Sequence, residues 1–320
     1  MTTLSSLNVV LLAGGVGGAR LAEGLINLPN ISLSVICNIG DDEEFHGLHV
    51  SPDVDTMIYT LSNNINRSQG WGVKNDKYRA LAILEKLGNE AWMSLGDSDF
   101  GLHIYRSNRL KLGHSLSEIT YDIAKAFNVP ASIILPTNNL VPTMVRIDEG
   151  WISFQQYFVK RRCEPKVLDL NYKNVSKAQP NPNAILALET ADMIVLAPSN
   201  PFLSLLPILS IPGIKSTIIL NKKIPKIAVS PLIAGRAVKG PADKLMAELG
   251  FIPDNSTISR LYRDFLNVLI IDHKDTSKLV LEEGEKIEIR STDILIDSIE
   301  KKINFASFVV ETAKEFRSKI

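Results

Sequence analysis

Carboxylates crowd one short stretch of this chain. Asn38-Ile-Gly-Asp41-Asp42 is followed by Ser51-Pro-Asp53-Val-Asp55-Thr56, so Asp41, Asp42, Asp53 and Asp55 fall within fifteen residues. Such groups repel one another unless something positive lies between them. Hard oxygen ligands beside a phosphate-bearing substrate point to Mg²⁺, which bridges phosphates and offsets charge in phosphoryl transfer. A solvated acidic loop with Asp53 as a helix N-cap is the plain alternative. Upstream lies a glycine-rich turn, Gly14-Gly15-Val16-Gly17-Gly18. Between a strand and a helix, such a turn points backbone N–H groups and a helix N-terminus at a phosphate or nucleotide. Arg20 stands where GxGxxG needs its third glycine, and no Gly-Lys-Ser/Thr follows, so the turn is neither the dinucleotide fingerprint nor a Walker A loop. A tight turn without a ligand is the rival reading.

Other polar groups recur at what read as strand ends. Pro198-Ser199-Asn200-Pro201 and Val229-Ser230-Pro231 each place a small hydroxyl or amide after an apolar run. Repetition at one sheet edge implies one crevice, whereas each alone fits a strand-to-helix turn with a serine N-cap. Gly96-Asp97-Ser98-Asp99 precedes His103 and Arg106, and Asp99, His103 and Arg106 share one helical face at i, i+4 and i+7. That face suits a polar ligand or ordinary surface ion pairing equally. Asn75-Asp76-Lys77-Tyr78-Arg79 reads first as a helix start. No GxSxG, HExxH or kinase signature set occurs, so no nucleophile is marked. His46, His49, His114 and His273 are scattered and read as structural or surface groups.

The elements that must position these residues follow an α/β rhythm. Asn8–Ala13 is a buried-strand run, 19–28 a helix ending at Pro29, and Ser32–Cys37 a second strand, together a βαβ unit. Helices are expected over Asp76–Leu87 and Ser115–Phe127, the latter opened by a Ser115/Glu118 capping box. Ala131–Leu135 is a strand, and Met144–Phe154 a hairpin about Asp148-Glu149-Gly150. Strands at Met193–Ala197, Lys226–Val229 and Val268–Asp272 alternate with helices at Asn183–Thr190, Pro241–Leu249 and Asn304–Lys319. The expected fold is α/β, a Rossmann-like and mostly parallel sheet with a β-hairpin. The whole chain, 1–320, is read as a single α/β domain of two lobes, with a helical insertion near 60–130.

Composition narrows the partners. Lys and Arg number 35 and Asp and Glu number 35, so formal charge is zero. That argues against nucleic acid and against a membrane surface, both of which favour a basic excess. It does not argue against a small anionic substrate. Asp41, Asp42, Asp53, Asp55, Asp97 and Asp99 gather at one edge, where a divalent cation turns an acidic crevice into a diphosphate site. Cys37 and Cys163 make no disulfide framework, and no targeting or membrane-spanning segment is read, so a cytoplasmic setting is expected.

Taken together, Leu12-Ala-Gly-Gly-Val-Gly-Gly-Ala-Arg20, Asn38-Ile-Gly-Asp-Asp42, His46-Gly-Leu48, Ser51-Pro-Asp-Val-Asp-Thr56, Gly96-Asp-Ser-Asp99, Pro198-Ser-Asn-Pro201 and Val229-Ser-Pro231 resemble, in order, the 2-phospho-L-lactate transferase (CofD/FbiA) family of coenzyme F420 biosynthesis. The resemblance implies transfer of a phospho-C3-acid from a guanosine diphosphate carrier to the ribityl hydroxyl of the deazaflavin Fo, with release of GMP, a requirement for Mg²⁺, and a homodimer. It matches Asp42, Arg79 and Asp97 to the Fo side. It matches Gly14, Gly15, Gly17, Asn38, Ser199, Asn200 and Ser230 to the nucleotide and phosphate side. Asp53 and Asp55 become candidates for metal binding and hydroxyl activation. A nucleotide-sugar-binding regulator of a related Rossmann-like family is the alternative, against which the acidic Ser-Pro-Asp-x-Asp-Thr loop counts. A dehydrogenase comes third, because the glycine fingerprint is imperfect. The C3 acid itself is left open among phospholactyl, phosphoenolpyruvyl and phosphoglyceryl groups.

Overall fold

A computed structural model describes residues 6–278 and 286–319. Its centre is a seven-stranded parallel sheet built from β1 (Leu7–Ala13), β2 (Ile31–Cys37), β3 (Ser132–Ile134), β4 (Met193–Leu196), β5 (Lys226–Val229), β6 (Val268–Asp272) and β7 (Glu288–Thr292). The spatial order is β3-β2-β1-β4-β5-β6-β7. That is the Rossmann order extended by one strand, and it reverses direction between β1 and β4. Ligands bind at such a reversal, outside the carboxyl ends of the strands.

The sheet is buried on both faces, which is why its strands read as continuous apolar runs. Alternate β1 residues serve two cores. Val9, Leu11 and Ala13 pack with α1 (Gly15–Ile26), α2 (Pro52–Leu61) and the C-terminal helix Ile299–Arg317. Val10 and Leu12 pack with the helices Pro182–Thr190 and Ile214–Leu220 on the other face.

Between β2 and β3 lie α2, α3 (Arg79–Lys86), α4 (Asp97–Lys111) and α5 (Leu116–Ala126). The α5 start is the expected capping box: Glu118 N donates to Ser115 Oγ at 3.3 Å, and Ser115 N donates to Glu118 Oε2 at 2.8 Å. The helix expected from Asp76 begins only at Arg79, because the Asp76 carboxylate instead accepts from Ser98 N at 3.0 Å and caps α4. Asp97 returns the favour, accepting from Ala80 N at 3.0 Å at the start of α3. The two helices therefore cap each other, a long-range exchange that local patterning does not reveal.

The expected hairpin is Thr143–Ile147 with Gly150–Ser153. Asp169–Tyr172 pairs with it as a third strand, and β7 adds an unexpected edge to the main sheet. Neither is an apolar run: Asp169–Tyr172 alternates polar and apolar residues, and Glu288–Thr292 has Ile289 as its one apolar residue, as suits strands at a sheet edge. The apolar stretch after Pro201 forms short helical turns, and among the described residues no single helix is long and apolar enough to cross a membrane.

α1 meets the C-terminal helix closely at Gly24, where an added Cβ would run into the Lys302 carbonyl oxygen. Gly24→Ala is therefore expected to lower stability by about 1–3 kcal/mol through overpacking, measured as a shift in urea midpoint with an unchanged slope.

Candidate active site

Two loops meet where the strand order reverses. After β1, Gly14 and Gly15 open α1; after β4, Ser199 closes against them. Ser199 Oγ donates to Gly14 O at 2.7 Å and accepts from Gly14 N at 3.2 Å. Gly15 takes a positive φ of 63°. Gly17 lies against the Pro198 carbonyl, which a Cβ there would strike. Asn200 Oδ1 accepts from Phe202 N at 3.0 Å and Leu203 N at 3.2 Å, while its Nδ2 is buried without a partner.

The carboxylates arrive from the loop after β2 and from the first turn of α2. Asp53 does not cap its own helix. Its Oδ1 accepts from Gly15 N at 2.6 Å, so it caps α1 from outside. Its Oδ2 accepts from Asn38 Nδ2 at 2.9 Å. Asn38 also donates to Leu203 O at 3.1 Å and accepts from Gly40 N at 2.9 Å. Asp41 comes within hydrogen-bonding reach of Asp53. The small three-stranded sheet clamps this loop: Thr143 N donates to Gly40 O at 2.7 Å, and Gln155 Nε2 donates to Asp41 O at 3.0 Å. Thr143 Oγ1 is buried and unpartnered beside Gly40.

Burial dominates the electrostatics. It pushes the Asp53 carboxyl up to about 6, against the hydrogen bonds from Asn38 and Gly15. Burial, then repulsion from Asp53 and Asp42, drives Asp41 well above the usual carboxylate range. Cys37, at the end of β2, has its thiol raised by burial and then by the same carboxylates.

A second polar network adjoins the first. The Asp55 carboxylate is gripped at both oxygens by the Arg106 guanidinium, with Nη1 at 3.2 Å from Oδ2. His103 Nδ1 lies 3.1 Å from Arg106 Nη1, and burial lowers its pKa to about 4. Tyr59 OH donates to Asp99 Oδ1 at 2.9 Å, and Gly96 N donates to Asp99 Oδ2 at 3.1 Å. Burial raises Asp99 to about 6. The shared face of Asp99, His103 and Arg106 thus points into the protein rather than to solvent. Asp42 accepts on Oδ2 from Ser51 Oγ at 2.8 Å and lies 3.0 Å from His49 Nε2.

A family model described as 2-phospho-L-lactate transferase CofD matches residues 9–310. The chain belongs to the 2-phospho-L-lactate transferase family. It is 36% identical over 303 residues to the 2-phospho-L-lactate transferase of Methanosarcina acetivorans, covering 94% of this chain and 98% of that one. It is 35% identical over 314 residues to that of Methanopyrus kandleri, covering 97% and 99%. In fold it is similar to a crystal structure of a UPF0052-family protein from Bacillus halodurans, with a TM-score of 0.62 at 16% identity over 96% of this chain and 99% of that one.

Within this transferase, the residues singled out by sequence divide into groups. Gly14, Gly15, Asn38, Asp53 and Ser199 join through direct hydrogen bonds, with Gly17 and Asn200 on the same loops. Asp42 sits in the adjoining network. Asp97 and Arg79 meet at the junction of α3 and α4, where Asp97 is a cap and Arg79 is exposed. Ser230 is fully buried, its Oγ accepting from Leu232 N at 3.0 Å in a tight turn. Asp55 is paired through both oxygens with the Arg106 guanidinium, as Asp53 is held through both of its own by Gly15 N and Asn38 Nδ2. Among the described residues no group of three or more His, Cys, Asp and Glu side chains is assembled to hold a metal. His49, Thr143 and Gln155 carry weight in the site that their sequence surroundings did not announce.

Two outcomes follow. Asp55→Ala strands a buried guanidinium and is expected to cost about 3–5 kcal/mol, read by chemical unfolding. Asp99 holds its proton in the folded state up to about 6, above the ordinary aspartate value of 3.8. The native state therefore binds more protons than the unfolded chain between those values, and the cost of burying ionised Asp99 grows as pH rises through that window. Asp99→Asn is expected to gain on the wild type by about 1–3 kcal/mol between pH 4 and 7. A pH-independent difference in urea unfolding would sink that account.

Proposed function

We propose that this chain transfers a phospho-C3-acid group from a guanosine diphosphate carrier to the ribityl hydroxyl of the deazaflavin Fo, releasing GMP and giving F420-0 or a close analogue. Phospholactate transfer in coenzyme F420 biosynthesis is the family's chemistry. The observation that carries the finer reading is a single meeting point: at the strand reversal, the first amide of a phosphate-type turn touches a buried carboxylate, Gly15 N to Asp53 Oδ1 at 2.6 Å. A diphosphate and its counter-cation need those two components side by side.

Mg²⁺ fits the donor set. It is commonly held by one or two carboxylates plus substrate phosphates and water. Asp53 and Asp41 supply such a pair, close together, their pKa values raised by burial and then by neighbouring carboxylates. When bound there, the ion would neutralise charge on the donor diphosphate. The chain's own residues do the rest. The turn at Gly14, Gly15 and Gly17, with Ser199 and Asn200, holds the nucleotide phosphates. The orphaned Asn200 Nδ2 is a donor awaiting an acceptor. Asp42, Arg79 and Asp97 form the acceptor side, with Asp97 acting by fixing the start of α3 and so the place of Arg79.

The reaction needs no covalent enzyme intermediate, in keeping with the lack of a nucleophile motif. The acceptor oxygen bonds to the β-phosphorus as the bond to GMP breaks, and the alcohol proton passes late to a carboxylate of the site, when bonding to phosphorus has acidified it. Positioning and charge neutralisation supply most of the rate. A cytoplasmic homodimer belongs to the same proposal.

The test is to incubate the protein with Fo, Mg²⁺ and each guanylylated C3 acid, measuring GMP release and product mass. GMP release with at least one donor is expected. None with any donor, or tight binding of a UDP-sugar without Fo binding, overturns the proposal. Asp53→Asn is expected to lower kcat by about 100-fold or more, the scale of one lost electrostatic stabiliser, with the KM for Fo changed only a few-fold; wild-type turnover at saturating Mg²⁺ would remove Asp53 from the role.

A further inference from the structure

Asp42 is unevenly satisfied. Its Oδ2 has two partners, Ser51 Oγ at 2.8 Å and His49 Nε2 at 3.0 Å. Its Oδ1 is buried and has none, and among the described residues it is the one buried carboxylate oxygen in that condition. A buried acceptor left unpaired carries the full desolvation penalty of the group. A donor on a bound ligand would satisfy it.

We infer that His49 is a positioning residue for the acceptor substrate: its ring N–H fixes the Asp42 carboxylate by Oδ2 and leaves Oδ1 to accept a hydrogen bond from an acceptor hydroxyl. This rests on the transferase reading above and deepens it. In the 3.0 Å contact the ring N–H at Nε2 is the donor and Asp42 Oδ2 the acceptor.

His49 is itself held rigidly, which a positioning group requires. The strands Glu43–Phe45 and Leu48–Val50 form a hairpin whose two turn residues, His46 and Gly47, both take positive φ. The turn folds His49 back to Asp42, seven residues earlier. α4 then pins the His49 backbone at both polar atoms: His49 N donates to Ser107 Oγ at 2.8 Å, and Arg106 Nη1 donates to His49 O at 3.3 Å. Arg106 is anchored by Asp55. The sequence of contacts runs Asp55, Arg106, His49, Asp42, and ends on the unpaired oxygen. Asp55 thus reaches the acceptor side through Arg106.

The experiment compares the full chain with His49→Phe, which keeps a ring but no N–H, and His49→Gln, which keeps an N–H near the Nε2 position. GMP release is measured with Mg²⁺ and guanylylated phospholactate, varying Fo and then the donor. In His49→Phe the KM for Fo is expected to rise about tenfold, the loss of one charge-assisted hydrogen bond, while the KM for the donor stays within about twofold. His49→Gln is expected to restore the Fo KM to within about threefold of the wild type. An unchanged Fo KM in His49→Phe, an equal rise for both substrates, or a His49→Gln variant as impaired as His49→Phe overturns the inference. If His49→Phe does not fold, His49→Asn takes its place, since its shorter amide falls short of Asp42. Absence of wild-type turnover removes the transferase reading and this inference with it, whereas turnover with an unaltered Fo KM in the variant removes the inference alone.

Discussion

Several carboxylates are buried together against one guanidinium, and the site is organised around that imbalance. Asp41, Asp42, Asp53, Asp55 and Asp99 are all buried, and Arg106 is the cation buried among them. Taking carboxylates out of water without counter-charge is costly. The protein meets the cost in three ways. Asp55 takes the guanidinium. Asp53 takes the first amide of α1, where the helix dipole favours negative charge. Asp41 and Asp53 keep raised pKa values. Carboxylates buried in this way gain when positive charge arrives beside them.

The scaffold makes this arrangement possible. Strand order reverses between β1 and β4, and the loops that leave them meet there, Ser199 against Gly14, at the edge where such sheets place ligands. The Gly-rich turn needs small residues there for a packing reason. Asp53 and Ser204 crowd Gly14 on one side, and the Pro198 carbonyl crowds Gly17 on the other. The three-stranded sheet at Thr143–Ile147, Gly150–Ser153 and Asp169–Tyr172 acts as a clamp on the Asn38–Asp42 loop, and α4 acts as a second clamp on the hairpin that carries His49.

Much of this was legible in the residues. The βαβ entry, the Ser115/Glu118 capping box, the hairpin about Asp148-Glu149 and the strands at Lys226–Val229 and Val268–Asp272 all rest on local rules: apolar runs, cap chemistry and two-residue turns. The ordered motifs from Leu12 to Pro231 were specific enough to indicate the family, which the match over residues 9–310 shows. Less was legible where a side chain serves an element far along the chain. Asp76 and Asp97 were read as local caps or ligands, and each caps the other's helix. Arg106 was read on its own helix face, and its partner is Asp55, fifty-one residues away.

The sequence by itself determined the α/β class, the placement of glycines and carboxylates after strands, and the balance of charge that concealed an acidic edge. Those properties follow from residue type and short-range spacing, which act before the chain is compact. Only the tertiary structure decided which carboxylate keeps a free oxygen. Asp53 and Asp55 sit two residues apart in one motif, yet one turns toward Gly15 and the other toward Arg106. Residues two apart on a helix project about 200° apart, so they meet different neighbours. Which neighbours those are depends on how α1, α2 and α4 pack around the sheet, and no local spacing encodes it.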